Sequence, residues 1–154
     1  MNRKFIVTVI GGHKCDEKTR VLAETIGKII AEEGAVLSCG GLGGIMEAAC
    51  RGARKAGGLT IGIIPGKDKK IANGFLDIVI PTDMGYSRNT LVAGGGDMVV
   101  ALPGEFGTLS EICFSLINEL PVYGFGTWDI KGINKLDNTD DLRGIIKRNM
   151  QKIK

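Results

Sequence analysis

The segment "DMVVALPGEFGTLSEICFSLINELP" (residues 97–121) contains the pattern that decides the fold. Residues 97–103 form a nearly continuous apolar run, which is typical of a strand buried on both faces. A short loop with two glycines follows, and the residues from Gly107 are predicted to form a helix that ends before Pro121. Strand, loop and helix in this order are the repeating unit of a parallel sheet, because parallel strands need a crossover connection.

The same alternation runs through the whole chain. It indicates an α/β fold with a parallel sheet of about six strands, helices on both faces and right-handed crossovers. The predicted strands are 4–10, 35–38, 59–65, 76–81, 97–103 and 122–125, and the predicted helices are 16–34, 43–58, 86–96 (short), 107–121 and 140–154.

The composition is that of one globular domain. The chain has 154 residues, 44% of them apolar and 24% charged, so we expect a single domain over residues 1–154. A net charge of +3 without a basic stripe argues against nucleic acid as a partner. No apolar run approaches the ~20 residues of a membrane span, so no membrane is expected as a partner. Four scattered cysteines without a C-x-x-C pair predict reduced thiols and a cytoplasmic protein.

Glycine-rich or polar clusters follow every predicted strand from the first to the fifth. Because the carboxyl ends of parallel strands share one edge of the sheet, these clusters meet at the edge where open sheets bind ligands. Any such sheet carries loops there, so the chemistry of each loop has to distinguish a site from plain turns.

The loop "CGGLGGIM" (residues 39–46) precedes a predicted helix. Its four glycines allow the backbone to approach a ligand, and free N–H groups at a helix N-terminus attract a phosphate. A tight turn without a ligand is the alternative. The dinucleotide pattern G-x-G-x-x-G fails at Met46, and the phosphate-loop pattern fails because Asp68 follows "GIIPGK".

The loop "PGEFGTLSE" (residues 103–111) supplies a second predicted helix N-terminus at the same edge. Thr108 offers a hydroxyl and an N–H group to an anion. Thr108 and Glu111 also match a capping box, in which the glutamate folds back onto the N-cap residue. The spacing therefore leaves a cap and a catalytic carboxylate open for Glu111.

The segment "MGYSRNT" (residues 84–90) contains Arg88 near a predicted helix start, where a positive charge opposes the helix dipole. Arg88 is either a solvated surface residue or a clamp on an anionic ligand, which a planar guanidinium suits. A serine hydrolase is not indicated, because the segment lacks the closing glycine of a nucleophile elbow. In "GGHK" (residues 11–14), Lys14 is interpreted as a surface or phosphate-facing lysine and not as a pyridoxal-phosphate site.

Two segments together resemble a known family. "GGLGGIMEAACRGARKAGG" with "IGIIPG", and later "SRN" with "LPGEFGTLSE", are similar to the LONELY GUY nucleotide phosphoribohydrolases and, within them, to the short branch that includes molybdenum-cofactor carrier proteins. The resemblance extends to about residue 127. It implies a three-layer α-β-α Rossmann-like nucleotide-binding domain that forms a homodimer or homotetramer. The family is often mislabelled as lysine decarboxylase, an activity we do not expect.

The resemblance also implies residue roles. Its enzymes cleave the N-glycosidic bond of a nucleoside 5′-monophosphate to base and ribose 5-phosphate, with catalytic residues that map onto Arg88 and Glu111. The small-molecule ligand is a nucleotide or, in a non-catalytic carrier, a pterin; no resident cofactor and no metal are expected. The residues predicted to bind ligand or phosphate are Gly11, Gly12, Gly40, Gly41, Gly43, Gly44, Met46, Gly104, Gly107 and Thr108.

One position departs from the family pattern. Glu105 stands where the P-G-G motif has its second glycine. If that position required φ > 0, glutamate would cost roughly 1–2 kcal/mol. An inward-pointing Glu105 would also place a carboxylate beside the phosphate site and favour the carrier alternative.

Overall fold

The structure, a computed structural model, describes residues 3–153 and contains one seven-stranded sheet in that range. All neighbouring strands are parallel. The strands are β1 (Ile6–Ile10), β2 (Val36–Cys39), β3 (Thr60–Ile64), β4 (Ile78–Pro81), β5 (Met98–Ala101), β6 (Val122–Gly124) and β7 (Ile133–Lys135).

The strand order is β4-β3-β2-β1-β5-β6-β7. The chain runs outward from β1 to β4 and then returns to add β5 on the other side of β1. The order therefore reverses between β1 and β5, where Ile10 is in register with Ala101. In open parallel sheets, ligands bind at the carboxyl end of this switch point.

The sheet has seven strands, one more than the expected number of about six, and the additional strand is β7. It is three residues long and pairs with β6 through Val122 and Ile133. Its sequence, Ile-Asn-Lys, carries one apolar side chain, so no periodicity marks it as a strand. The pairing with β6 defines it.

Five α-helices connect or follow the strands in the described range. They are α1 (Glu17–Glu32), α2 (Ile45–Lys55), α3 (Asn89–Gly94), α4 (Phe106–Ile117) and α5 (Leu142–Lys152). The short helix predicted over 86–96 is instead a 3-10 turn, Gly85–Arg88, that continues into α3. Arg88 therefore lies at the junction of the two.

Local sequence signals explain the ends of α1. The Asp16 carboxylate accepts a hydrogen bond of 2.7 Å from the Thr19 N–H, which is an N-cap. At the other end Gly34 adopts φ = 76°, a conformation that glycine takes without the penalty other residues bear. The predicted boundaries of 16–34 include both caps.

The helices form two layers around the sheet, which gives the three-layer Rossmann-like architecture. One face buries a large core under α1, α2 and α5, with Ile26, Ala49 and Leu142 among its members. The other face buries a smaller core under α3 and α4, with Val92 and Ile112.

Two glycines set the distance between α1 and α2. A Cβ atom on Gly27 would lie 1.9 Å from the Ala49 carbonyl oxygen, and one on Gly52 would lie 1.9 Å from the Glu24 carbonyl oxygen. Both obstacles are backbone atoms, so no side-chain rotation can relieve them. The two helices pack with their backbones in direct contact.

No helix within residues 3–153 combines the length and apolarity that crossing a membrane requires.

Candidate functional site

A cavity of about 360 Å³ opens at the carboxyl ends of β1 and β5, where the strand order reverses. Its volume lies in the range of small-molecule sites. Its walls come from the loops after β1, β2 and β5 and from the 3-10 turn before α3. The lining residues are Gly11, Gly12, His13, Lys14, Leu42, Met46, Tyr86, Arg88, Asn89, Gly104, Glu105, Gly107, Thr108 and Glu111.

Arg88 is buried and reaches into this cavity, with only 6% of its surface exposed. Its Nε donates to the Ile63 carbonyl at 2.8 Å, its Nη2 donates to the Gly40 carbonyl at 3.2 Å, and its Nη1 donates to Asn89 Oδ1. Among residues 3–153, these three acceptors hold the guanidinium, which has five N–H donors. Two donors are therefore available to a ligand.

Two neighbouring features shift the pKa of Arg88 in opposite directions. Burial lowers its pKa, and the negative charge of Glu111 raises it again. An arginine stays protonated at physiological pH despite such shifts. Because only 6% of Arg88 is exposed, the alternative that it is a solvated surface residue is wrong, and the cavity contains a buried positive charge.

Helix α4 begins one turn earlier than a capping box at Thr108 requires. The N-cap residue is Glu105, and the Leu109 N–H donates to the Glu105 carbonyl at 3.0 Å as the helix begins. Thr108 and Glu111 are then interior helical residues, so the capping-box interpretation is wrong. The extended backbone at Glu105, φ = −93° and ψ = −155°, makes the turn into the helix instead.

Glu111 is the buried carboxylate of the cavity, with 7% of its surface exposed. Burial raises its pKa to about 7, and the nearby positive charge of Arg88 opposes that rise. Both protonation states are populated near neutral pH. A carboxyl group in this state can donate or accept a proton.

The predicted ligand-binding residues divide into two groups. Those that line the cavity are Gly11, Gly12, Met46, Gly104, Gly107 and Thr108, together with the predicted catalytic pair Arg88 and Glu111. Those that are not among the lining residues are Gly40, Gly41, Gly43 and Gly44. The part of both groups in ligand binding, and that of the catalytic pair in turnover, stays a prediction.

Two members of the second group, Gly40 and Gly44, support the wall by close packing. A Cβ atom on Gly40 would lie 2.9 Å from Arg88 Nη2 and 2.9 Å from Met46 Sδ. One on Gly44, where φ is 64°, would lie 2.4 Å from the His13 carbonyl carbon. The glycines thus bring the loop after β2 against both Arg88 and the loop after β1.

The loop after β5 is fixed from two sides. The Gly12 N–H donates to the Pro103 carbonyl at 2.9 Å, which joins the loops after β1 and β5. The Trp128 indole N–H, in the connection between β6 and β7, donates to the Gly104 carbonyl at 3.0 Å. The backbone that lines the cavity at Gly104 is therefore held from both neighbouring strands.

Glu105 carries no backbone strain. Its φ of −93° is outside the left-handed region, so the cost of 1–2 kcal/mol that a positive φ would bring does not arise. Its side chain is exposed and lies at the cavity wall.

Sequence reasoning did not assign ligand roles to several lining residues: His13, Leu42, Tyr86, Asn89 and Glu105. Asn89 is 2% exposed. The one sequence signal that could have indicated a role for Asn89 is its place as a polar residue directly after the candidate arginine, Arg88. Its burial depends on α4, which begins 17 positions later.

The cysteines and acidic residues do not form a metal centre in the part of the chain that the structure describes. All four cysteines are free thiols: Cys15 and Cys113 are exposed, and Cys39 and Cys50 are buried with their Sγ atoms 3.5 Å apart. The hydrogen bond with Cys39 and burial raise the pKa of the Cys50 thiol.

Comparisons with known proteins agree with this architecture. A molybdenum cofactor binding protein from Rippkaea orientalis superposes with a TM-score of 0.91 at 33% identity, over 97% of this chain and 99% of that protein. A Moco carrier protein from Chlamydomonas reinhardtii superposes with a TM-score of 0.87 at 32% identity, again over 97% and 99%.

The similarity to a curated enzyme is more local. A cytokinin riboside 5′-monophosphate phosphoribohydrolase of Mycobacterium tuberculosis is 36% identical over 95 residues, which are 59% of this chain and 50% of the enzyme. This match therefore spans half the length of that relative.

The family assignment rests on nearly the whole sequence. The model of the SLOG cluster4 family matches residues 4–153. Together with the LONELY GUY-like relative and the structures of Moco carrier proteins, this match shows that the chain belongs to the SLOG cluster4 family, a LONELY GUY-like and Moco-carrier-like group of Rossmann-like proteins.

Proposed function

We propose that the cavity binds a phosphate-bearing nucleotide and that the protein cleaves the N-glycosidic bond of a nucleoside 5′-monophosphate. The single observation that carries this proposal is the pair of buried charges, Arg88 and Glu111, in one cavity at the switch point. A buried cation with two available donors suits an anionic ligand. A titratable carboxyl beside it suits hydrolysis.

The chemistry of the reaction assigns a role to each group. As the base leaves, positive charge develops at C1′, and an ionised Glu111 would stabilise that charge or remove a proton from the attacking water. The hydroxyl of the water bonds to C1′, and a proton ends on the departing nitrogen of the base. Arg88 would orient the nucleotide, and the N-termini of α2 and α4 would attract its phosphate.

A second candidate function is carriage of a phosphorylated pterin without turnover. The observation that favours it is the likeness to Moco binding and carrier structures over almost the full length of this chain. The same fixed cation and helix N-termini would bind such a ligand. Glu111 would then be a hydrogen-bonding partner of the pterin ring and not a catalyst.

Turnover separates the two functions. Purified protein is incubated with AMP and with modified-adenine monophosphates, and free base and ribose 5-phosphate are measured by chromatography. We expect release of both products in equal amounts. Binding of these monophosphates without any release would reject the hydrolase and leave the carrier, which saturable binding of a phosphorylated pterin would then support.

We also propose that the protein assembles as a homodimer or homotetramer through the face formed by the 3-10 turn, α3 and α4. Large apolar side chains are exposed there: Tyr86 at 84%, Phe106 at 78% and Ile117 at 73%. Phe106 and Ile117 are eleven positions apart in α4 and therefore lie on the same side of the helix, and an exposed apolar face of this kind is typical of an interaction site. Tyr86 also lines the cavity, so a second copy would cover its mouth.

A cytoplasmic location, predicted from the cysteines, stays a proposal.

A further inference from the structure

Asn89 connects Arg88 to the first turn of α4 by a chain of hydrogen bonds with fixed direction. A guanidinium only donates, so the atom of Asn89 that faces Arg88 Nη1 must be the acceptor Oδ1. The amide nitrogen Nδ2 then donates to Ser110 Oγ at 2.9 Å. The Ser110 hydroxyl in turn donates a hydrogen bond to the Gly107 carbonyl at 2.7 Å.

The chain ends on the carbonyl that supports Glu111. In an α-helix the N–H of residue i donates to the carbonyl of residue i−4, so the Gly107 carbonyl accepts from the Glu111 backbone. Asn89 Nδ2 is also 3.4 Å from this carbonyl oxygen. One buried amide therefore contacts the guanidinium on one side and the backbone that positions Glu111 on the other.

The three acceptors of Arg88 come from two different layers. Ile63 lies in β3 and Gly40 directly follows β2, so both belong to the sheet. Asn89 is instead hydrogen-bonded to Ser110 in helix α4. Without Asn89 the guanidinium would be fixed to the sheet but not to the helix that carries Glu111. A long, flexible side chain needs such anchors to hold one geometry.

We propose that Asn89, acting through Ser110, is a positioning residue that fixes the Arg88 guanidinium relative to Glu111. Its effect on ligand binding rests on the proposed function, whereas its effect on the geometry of the ligand-free cavity does not. The alternative is that Asn89 is a polar residue buried for stability, with no influence on the two charges.

The test uses a matched set of variants of the full chain. Ser110→Ala removes the hydroxyl that accepts from Asn89 and donates to the Gly107 carbonyl, and Ser110→Thr restores a hydroxyl at the same half-buried position. Asn89→Leu removes both functions of the amide. Thr90→Ala is the control, because exposed Thr90 loses one hydrogen bond, to the Ser87 carbonyl, in the same segment.

The main readout needs no ligand. The titration of Glu111 is followed by NMR of its labelled side-chain carboxyl, in variants whose folding is confirmed by circular dichroism. The other titratable groups that line the cavity, His13, Lys14, Tyr86 and Glu105, are unchanged in every variant. A second readout is the dissociation constant for AMP.

We expect Asn89→Leu to lower the Glu111 titration midpoint, because the Arg88 donor that loses its Asn89 acceptor turns to the remaining carboxylate. Ser110→Ala keeps the hydrogen bond between Arg88 and Asn89 but removes the one that orients the Asn89 amide, so it should lower the midpoint in the same direction by a smaller amount. Asn89→Leu should also weaken AMP binding about fivefold, the effect of one ordinary hydrogen bond between the displaced guanidinium and the ligand, and Ser110→Ala should weaken it by less. Ser110→Thr should restore both values, and Thr90→Ala should change neither.

A midpoint that stays at the wild-type value in Ser110→Ala would overturn the proposal, as would failure of Ser110→Thr to restore a shifted one. If Asn89→Leu does not fold, the Ser110 pair decides alone. Absence of AMP binding by the wild type would count against the proposed function, while the ligand-free titration would still decide the role of Asn89.

Discussion

The two faces of the sheet differ in what they bury. Under α1, α2 and α5 lies a large apolar core, and α1 and α2 pack so closely that Gly27 and Gly52 have no room for a Cβ atom. Under α3 and α4 the core is smaller, and the side chains of Arg88 and Glu111 are buried beside it. The first face also exposes fewer large apolar residues than the second.

This difference indicates that the first face contributes mainly to the stability of the fold and the second face contributes the charged residues of the site. Burial of apolar surface stabilises the fold, whereas burial of a charge costs free energy unless the charge is paired and hydrogen-bonded. Arg88 and Glu111, the two buried ionisable residues of the cavity, both lie on the second face, whereas Met46 from the core of the first face supplies an apolar part of the cavity wall. Substitutions on the two faces should therefore change different measurements.

The largest effect is expected from Glu111→Gln. Gln keeps the shape and polarity of the side chain but cannot carry a negative charge, so turnover of AMP should fall about 10²- to 10⁴-fold. The free energy of unfolding should not fall. Steady-state kinetics checks this, with exposed Glu17→Gln as the control; a variant with unchanged turnover would remove Glu111 from the reaction.

On the opposite face, Gly27→Val should reduce stability without affecting the site. The new side chain meets the Ala49 backbone and forces α1 away from α2, which costs about 1–3 kcal/mol. Lys28→Val places the same branched residue at the neighbouring exposed position and serves as the control in thermal denaturation. Equal Tm values for the two variants would show that the helices have room at Gly27.

The buried carboxyl of Glu111 should make stability depend on pH. Its pKa rises from 4.5 in a solvated chain to about 7 in the fold, so the native state holds a proton that the unfolded state has lost. Stability therefore falls as pH rises from about 4.5 to about 7, by on the order of 3 kcal/mol.

Urea denaturation of the wild type and of Glu111→Gln at pH 4.5 and pH 8 checks this dependence. The wild type should lose more stability over that interval than the variant, in which this titration is absent. Comparing the two proteins cancels the other titratable groups, His13 included. Parallel pH profiles would mean that Glu111 is not desolvated in solution.

A smaller effect on folding, but a clear one on assembly, is expected from Ile117→Lys. The charge disrupts the exposed apolar face of α4, so the mass from light scattering should fall to the 16.4 kDa of one chain. Val21→Lys makes the same change at an exposed apolar residue of α1 and should leave the mass unchanged. A wild type that is already monomeric would refute the proposed interface.

The smallest effect is expected from Glu105→Gly. Because φ is already negative at this N-cap residue, glycine relieves no strain, and stability should change by no more than about 0.5 kcal/mol. Chemical denaturation provides the measurement. A gain of 1–2 kcal/mol would indicate a left-handed backbone at this position.

Much of the site could be predicted from local patterns. The alternation of apolar strands and helices placed Arg88 and Glu111 on loops and helix starts at one edge of a parallel sheet, and both line the cavity. The capping box at Thr108 was wrong because its spacing also occurs inside a helix. Which residue caps α4 depends on the backbone at Glu105, which side-chain spacing does not report.

The sequence by itself determined the parallel sheet, the edge that carries the loops and the two charged residues, because strand and helix periodicity and turn residues act over short stretches of chain. Only the tertiary structure decided that Glu111 is desolvated, that Arg88 is held by Ile63, Gly40 and Asn89, and that β7 pairs with β6. These properties arise from contacts between residues far apart in the chain, and a local pattern contains no information about the dielectric or the partners that such contacts provide.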